Sequence, residues 1–297
     1  MNHSKYRIAG LVACVTMIAG CSQEPVAGTP LFAATESSAE ETATAAITAD
    51  LMRHIVREIS DDKYEGRGPG SRGDIAAREF LIREMEALGL EPGAADGGWE
   101  QAFELVGLTA DQPPEWTFEG DTGAMTLKQW DDFIVSSGVQ SDRAEVTGAE
   151  VVFVGYAIEA PEYDWNDFKD HDLNGKILMI MNNDPDWDPD LFAGETRLWY
   201  GRWDYKYLSA ARKGAVGAII IHTQPSAGYP FQVVQTSWTG EQFELAAGDE
   251  PRLQVEAWVT EDVARSLIDM AGFDLDELRE AADNRDFEPV PLGITTS

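Results

Sequence analysis

Four aspartates alternate along one short loop, Asp184, Asp186, Asp188 and Asp190, and Glu195 falls at the twelfth place counted from Asp184. That is the donor spacing of a helix-loop-helix calcium loop. Two features depart from it. Pro189 occupies the sixth place, where a glycine must turn the chain, and no helical pattern precedes Asp184. Proline fixes φ just where the turn is needed. The loop therefore reads as a solvated acidic segment, with calcium as the alternative occupant. Close behind it stand Tyr200, Arg202, Trp203, Tyr205, Lys206 and Tyr207. Such a set either packs as rings with a stacked guanidinium or walls a binding cleft. On the second reading Tyr200, Arg202, Trp203 and Tyr205 are the substrate-cleft candidates, and none of them is a catalytic group.

Other chemistry-bearing patterns are thinner. Gly68-Pro69-Gly70-Ser71-Arg72-Gly73 is formally G-x-G-x-x-G, but polar residues Ser60 to Glu65 precede it instead of a buried strand. A dinucleotide site needs that strand. The histidines His3, His54, His171 and His222 have no metal-ligand spacing with one another or with a cysteine.

Elements that would position these groups follow from periodicity. Asp50 to Ser60 places Leu51, Ile55, Val56 and Ile59 on one helical face. Ser71 caps a second helix on which Ala77, Leu81, Met85 and Leu88 repeat, closed by Gly89. Gln101 to Gly107 reads as a short strand, and Pro113-Pro114 marks a boundary. Beyond Trp116 the runs EVVFVGYAI (150–158), KILMIM (176–181), AVGAIII (215–221) and Leu253 to Val259 have strand character. Tyr205 to Lys213, Glu261 to Met270 and Asp274 to Ala282 are helical, and Pro289 to Ser297 is extended. The class is mixed α/β.

The chain has 297 residues, room for more than one core, and a formal net charge of -31. Such a surface repels nucleic acid, and its bulk reads as solvation. At the start, Lys5 and Arg7 precede an apolar run from Ile8 to Ile18, too short for a permanent membrane span, and Ile18-Ala19-Gly20-Cys21 follows. This resembles a bacterial lipoprotein signal with Cys21 as the lipid attachment point, with an ordinary signal peptide as the alternative. Cleavage there leaves one cysteine and no internal disulfide. Ser22 after the cysteine favours an outer-membrane anchor. Residues 22–48 are rich in Ala, Thr, Ser and Glu and read as a disordered tether.

Asn182 to Leu245 joins the acidic loop, Tyr200-Gly201-Arg202-Trp203, a helix and the buried strand AVGAIII. It resembles the protease-associated (PA) domain inserted in secreted co-catalytic di-zinc aminopeptidases. That family includes bacterial leucyl aminopeptidases, glutamate carboxypeptidase and the transferrin receptor. Glu65-Gly66-Arg67, with a helix ending in Gly89-Leu90-Glu91-Pro92, resembles the start of the same family's peptidase domain. Arg67 there reads as a structural hydrogen-bond donor.

The resemblance implies a division into a lipoprotein signal (1–20), tether (21–48), the first helices and strand of a peptidase domain (49–115), a β-rich PA domain (116–285) and a return strand (286–297). It also implies peptide substrates and a bacterial envelope location. Two zinc ions in the complete enzyme would polarise the carbonyl and activate water, with a glutamate moving the proton. The family's ligands come in His-x-Asp and Glu-Glu pairs. No His-x-Asp occurs here, and the only Glu-Glu is Glu40-Glu41 in the tether. The expectation is a front portion, cut short, that supplies anchor and substrate-gating domain without catalytic or metal residues. On that view the sheet beneath the first two helices is largely missing and their apolar faces stay exposed. The alternative is a complete, non-catalytic lipoprotein that binds peptides or a protein partner.

Overall fold

The computed structural model describes residues 33–297, which divide into two units between Pro92 and Gly93. Cys21, the signal and the first part of the tether lie outside the described residues.

The smaller unit contains α1 (Ala33–Ala46), α2 (Ala49–Ile59) and α3 (Arg72–Ala87). The expected tether is thus helical over residues 33–46. Alanine and glutamate favour helix, although residues 40–46 are exposed and bury nothing. Thr48 caps α2 by accepting from Leu51 N at 3.1 Å, and Ser71 caps α3 by accepting from Asp74 N at 3.2 Å. Between them lies a 3-10 turn, Asp62–Arg67, with no strand before the glycines, so the G-x-G-x-x-G pattern has no nucleotide-binding setting. Arg67 donates to the Ile59 carbonyl and ties this turn to the end of α2.

A small core joins Tyr64, Ala77 and Phe80, with Ile55 and Ile59 against it. Gly73 permits the closest approach there, because an added Cβ would lie 1.8 Å from the Tyr64 carbonyl oxygen. Outside this contact α2 buries no residue, and Leu51, Met52, Val56, Leu81 and Leu88 are exposed. Of the two expected apolar faces, Ile55 and Ile59 of α2 are half-buried, and α3 buries Gly73, Ala77 and Phe80.

The larger unit contains, in chain order, β1 (Leu105–Leu108), β2 (Glu115–Gly120), β3 (Gly123–Lys128), β4 (Phe133–Ser136), β5 (Ala149–Phe153), β6 (Glu159–Ala160), β7 (Trp165–Asn166), β8 (Ile177–Met181), α4 (Trp203–Arg212), β9 (Gly217–His222), α5 (Gln224–Ala227), α6 (Phe231–Ser237), β10 (Gln242–Leu245), β11 (Val255–Thr260), α7 (Glu261–Met270), α8 (Leu275–Ala282) and β12 (Val290–Thr296). Eight strands form one sheet in the order β3-β2-β12-β5-β8-β9-β11-β4. Strands β5, β8, β9 and β11 run parallel at its centre; the flanking pairs are antiparallel.

Central strands covered on both faces must be apolar at every position, which explains ILMIM in β8 and GAIIIH in β9. Along β9, Ile219 and Ile221 pack into a core shared with Val263, Leu267 and Leu278 of α7 and α8. Ala218 and Ile220 face the other way, into a core with Tyr207, Ala210 and Val234 of α4 and α6. Helices on both faces of a largely parallel centre make this an α/β unit.

Two expected boundaries shift. β1, assigned with residues 49–115, pairs antiparallel with β10, Leu105 opposite Leu245. β12, expected as a return strand leading out of the unit, lies inside the large sheet between β2 and β5, with Val290 opposite Phe153 and Thr296 opposite Phe118. Leu292, Ile294 and Thr296 are buried on one side of it, so its hydrogen bonds and its apolar face are both satisfied within this unit.

Candidate functional site

A cleft of about 340 Å³ opens at the carboxyl ends of the parallel strands. Open α/β sheets place ligand sites there, because the chain must leave each strand in a loop and the loops converge. Tyr156 follows β5; Asn182, Asn183, Asp184 and Asp186 follow β8; Thr223 and Ser226 follow β9; Glu261 opens α7 and Arg279 comes from α8.

Local chemistry explains how the loop after β8 is held. Asn183 has φ 85°, a left-handed conformation that asparagine tolerates. Asp184 is buried and its Oδ2 accepts from Leu198 N at 3.0 Å. Gly201 passes so close that an added Cβ would stand 2.4 Å from Asp184 Oδ1. Arg197 donates to Asn183 Oδ1 at 2.7 Å and to the Ser226 carbonyl, joining the loops after β8 and β9.

Behind the cleft, Lys206 of α4 is fully buried. Its Nζ donates to the carbonyl oxygens of Tyr156 at 2.6 Å and Asn183 at 2.7 Å. Burial pushes the Lys206 ammonium down, and the charges of Asp167 and Asp184 act against that. Burial likewise raises Asp167, whose carboxylate accepts from Ile158 N at 2.9 Å and Trp165 Nε1 at 2.8 Å. Asp184 is raised by burial too, with Leu198 N, Lys206 and Arg197 opposing. Ser209, one helical turn on, donates to the Ala157 carbonyl at 2.9 Å. One face of α4 therefore positions the turns that line the cleft.

At the other wall Arg279 pairs with Glu261 at 2.5 Å and reaches Asp276 at 3.5 Å. Arg265 also holds Asp276, at 2.9 and 3.0 Å. The Arg279 charge is thus matched by carboxylates. Tyr156 donates its hydroxyl to Asp283 at 2.7 Å; burial, with Asp283 and Asp186 adding, raises this phenol well above its ordinary value.

The four sequence-derived cleft candidates lie elsewhere. Tyr200 donates its hydroxyl to Glu162, and that bond pushes the phenol up to about 12. Tyr205 is buried, with its ring centroid 5.1 Å from that of Tyr200. Trp203 sits apart from this pair, 5.2 Å from Trp238 and 6.2 Å from Tyr207. Arg202 forms an ion pair with Asp204 at 3.4 Å. None of the four lines the cleft. Asn182 lines the cleft and was not singled out in the sequence, and Lys206, which braces it from behind, was seen only as a member of the aromatic-basic cluster. Each carried a signal: Asn182 is the first polar residue after the apolar run KILMIM, and Lys206 interrupts the apolar side of a short helix.

The alternating aspartates do not converge. Asp184 is buried, Asp186 faces the cleft, and Asp188 accepts from Asp190 N at 2.9 Å in a local turn. Among the described residues no group of three or more His, Cys, Asp or Glu could hold a metal ion. The histidines are separate: His54 is exposed on α2, His171 pairs with Glu288 at 2.6 Å, and His222 is buried against Tyr229, Phe231 and Trp258. The described residues do not fit a zinc pair.

No protein-family model matches the chain, and no curated protein matches it. Among solved structures it is similar to an aminopeptidase from Aneurinibacillus sp. strain AM-1, at 16% identity and a TM-score of 0.36, over 84% of this chain and 43% of that one. It is also similar to BSAP, a zinc aminopeptidase from Bacillus subtilis, at 16% identity and a TM-score of 0.25, over 68% of this chain and 45% of that one. The chain spans less than half the length of either structure. Superpositions this loose assign no residue a role.

Proposed function

We propose that this chain is the peptide-binding, substrate-gating portion of an extracytoplasmic zinc aminopeptidase, held at a bacterial envelope by a lipid on Cys21. The reading rests on the family resemblance of Asn182 to Leu245. One structural observation carries it further: that same segment supplies Asn182, Asp184, Asp186, Thr223 and Ser226 to the cleft at the strand ends. The cleft is concave, mixed in polarity and walled by fixed loops, which suits a small polar ligand. Hydrolysis is assigned to no described residue, since their donor set does not fit a zinc pair.

Fluorescence polarisation of short labelled peptides against the full chain tests the reading. Saturable binding, displaced by the unlabelled peptide, is the expected result, and its absence overturns the proposal. In the same preparation with added zinc, leucine p-nitroanilide should be cleaved no faster than in a metal-only blank. Zinc-dependent release above that blank would show that the chain itself holds a catalytic centre.

A further inference from the structure

We infer that His222 and Trp258 together hold one internal water molecule, sealed beneath the segment that carries α5 and α6, and that this water ties the end of β9 to β11. The inference stands apart from the peptide-binding reading.

The two residues share one face of neighbouring parallel strands. Trp258 lies opposite Ile220 and Thr260 opposite His222, so the two side chains sit diagonally on the same side of the sheet. Both are buried, with 5% of His222 and 1% of Trp258 exposed. Rings close over them: Tyr229 and Phe231 stand 5.8 and 5.4 Å from His222, and Trp238 stands 6.3 Å from Trp258. Within this apolar box, His222 Nε2 and Trp258 Nε1 are the two buried side-chain polar atoms that find no hydrogen-bond partner among the described residues. Such groups are costly to leave unmet, and native proteins satisfy nearly all of them.

Their chemistry defines the occupant. An indole Nε1–H only donates. The backbone carbonyls of Tyr229 and of His222 itself favour a proton on the imidazole. Since Nε2 meets neither, that proton belongs on Nδ1, and Nε2 presents a lone pair. The site therefore needs one atom that accepts from Trp258 and donates to His222. An ammonium or a metal ion accepts nothing, and a carboxylate or halide donates nothing; a hydroxyl does both. The ring centroids are 6.1 Å apart, a span that one oxygen bridges with two bonds of about 2.9 Å. Neither residue lines the strand-end cleft, so the occupant is enclosed, and water is the hydroxyl that fits there. Thr223, the next residue along, does line the cleft and caps α5 by accepting from Ser226 N at 3.2 Å. The water thus fixes the point from which the loop after β9 departs.

Nuclear magnetic resonance of the deuterated, ¹⁵N-labelled full chain tests the inference. The indole proton of Trp258, assigned through its own backbone amide, should show a cross-peak at the water frequency with the sign of a long-lived bound molecule. The ¹⁵N shifts of the His222 ring should show a proton on Nδ1 and an unprotonated Nε2. In His222→Phe, which keeps a ring but removes the acceptor, the water cross-peak should be lost. Absence of the cross-peak in the parent, a proton on Nε2, or a cross-peak that persists in His222→Phe overturns the inference. The first two readings come from the parent chain, so they decide the matter even where the variant fails to fold.

Discussion

The ammonium of Lys206 lies 2.7 Å from the carbonyl oxygen of Asn183, inside the protein and away from water. A second bond, 2.6 Å to the Tyr156 carbonyl, makes the same side chain a brace between the turns after β5 and β8. Both turns line the cleft, so a residue that never faces the ligand sets the position of those that do.

Replacing that brace should be costly. Lys206→Met keeps the volume but leaves two carbonyl oxygens without donors and Asp167 and Asp184 without their buried cation. Each buried carbonyl left without its donor costs about 1–3 kcal/mol. Urea unfolding should show a loss of that order. A loss below about 1 kcal/mol would mean that the turns hold their shape without it.

Acid and base should act on this protein through Glu256 of β11. Burial, with Glu244 adding and Arg252 opposing, raises its carboxyl from 4.5 to about 7. The folded-state value lies above the unfolded one, so between about pH 4.5 and 7 the folded chain binds the proton more tightly. This contribution to stability is complete below the lower value and is lost as pH rises through the upper one. Glu256→Gln should therefore unfold at higher urea than the parent at pH 8, by up to about 3 kcal/mol. At pH 4.5 the two should nearly coincide. Equal midpoints at both pH values would contradict the burial of this carboxyl.

How much of this was legible beforehand depends on the range of the interactions. The strands KILMIM and AVGAIII, the α3 cap at Ser71 and the helix carrying Lys206 were readable because each is written in local spacing. The place of β12 was not: its alternation marks a strand, but its partners lie more than a hundred residues earlier, and nothing local names them. The four ring-and-guanidinium candidates lie outside this cleft for a related reason. Tyr200, Arg202, Trp203 and Tyr205 stand out by type, yet aromatic rings near buried strands find one another first. The groups that line the cleft are those that the strand ends present, Asn182 and Asp186 among them. Lys206 was read as part of an aromatic-basic cluster, since its burial depends on carbonyl oxygens 50 and 23 residues away in sequence.

Gly201 offers a test of the loop geometry independent of charge. Gly201→Ala places a methyl 2.4 Å from Asp184 Oδ1 and 2.7 Å from Arg197 Cγ. Overpacking of this kind costs about 1–3 kcal/mol, and it should weaken peptide binding because Asp184 must move. Gly240→Ala, where an added Cβ meets nothing within 4 Å, is the matched control and should leave both properties unchanged. Identical thermal midpoints for Gly201→Ala and the parent would show that the loop is looser than described.

The most direct test of a cleft at the strand ends is the side-chain amide signal of Asn182 in a ¹H–¹⁵N spectrum of the deuterated chain, assigned by Asn182→Asp and titrated with a short peptide. The expected result is a saturable shift of that signal, together with the backbone amides of Asp186 and Thr223. Saturable shifts confined to Tyr200–Tyr205, with Asn182 unmoved, would contradict the account.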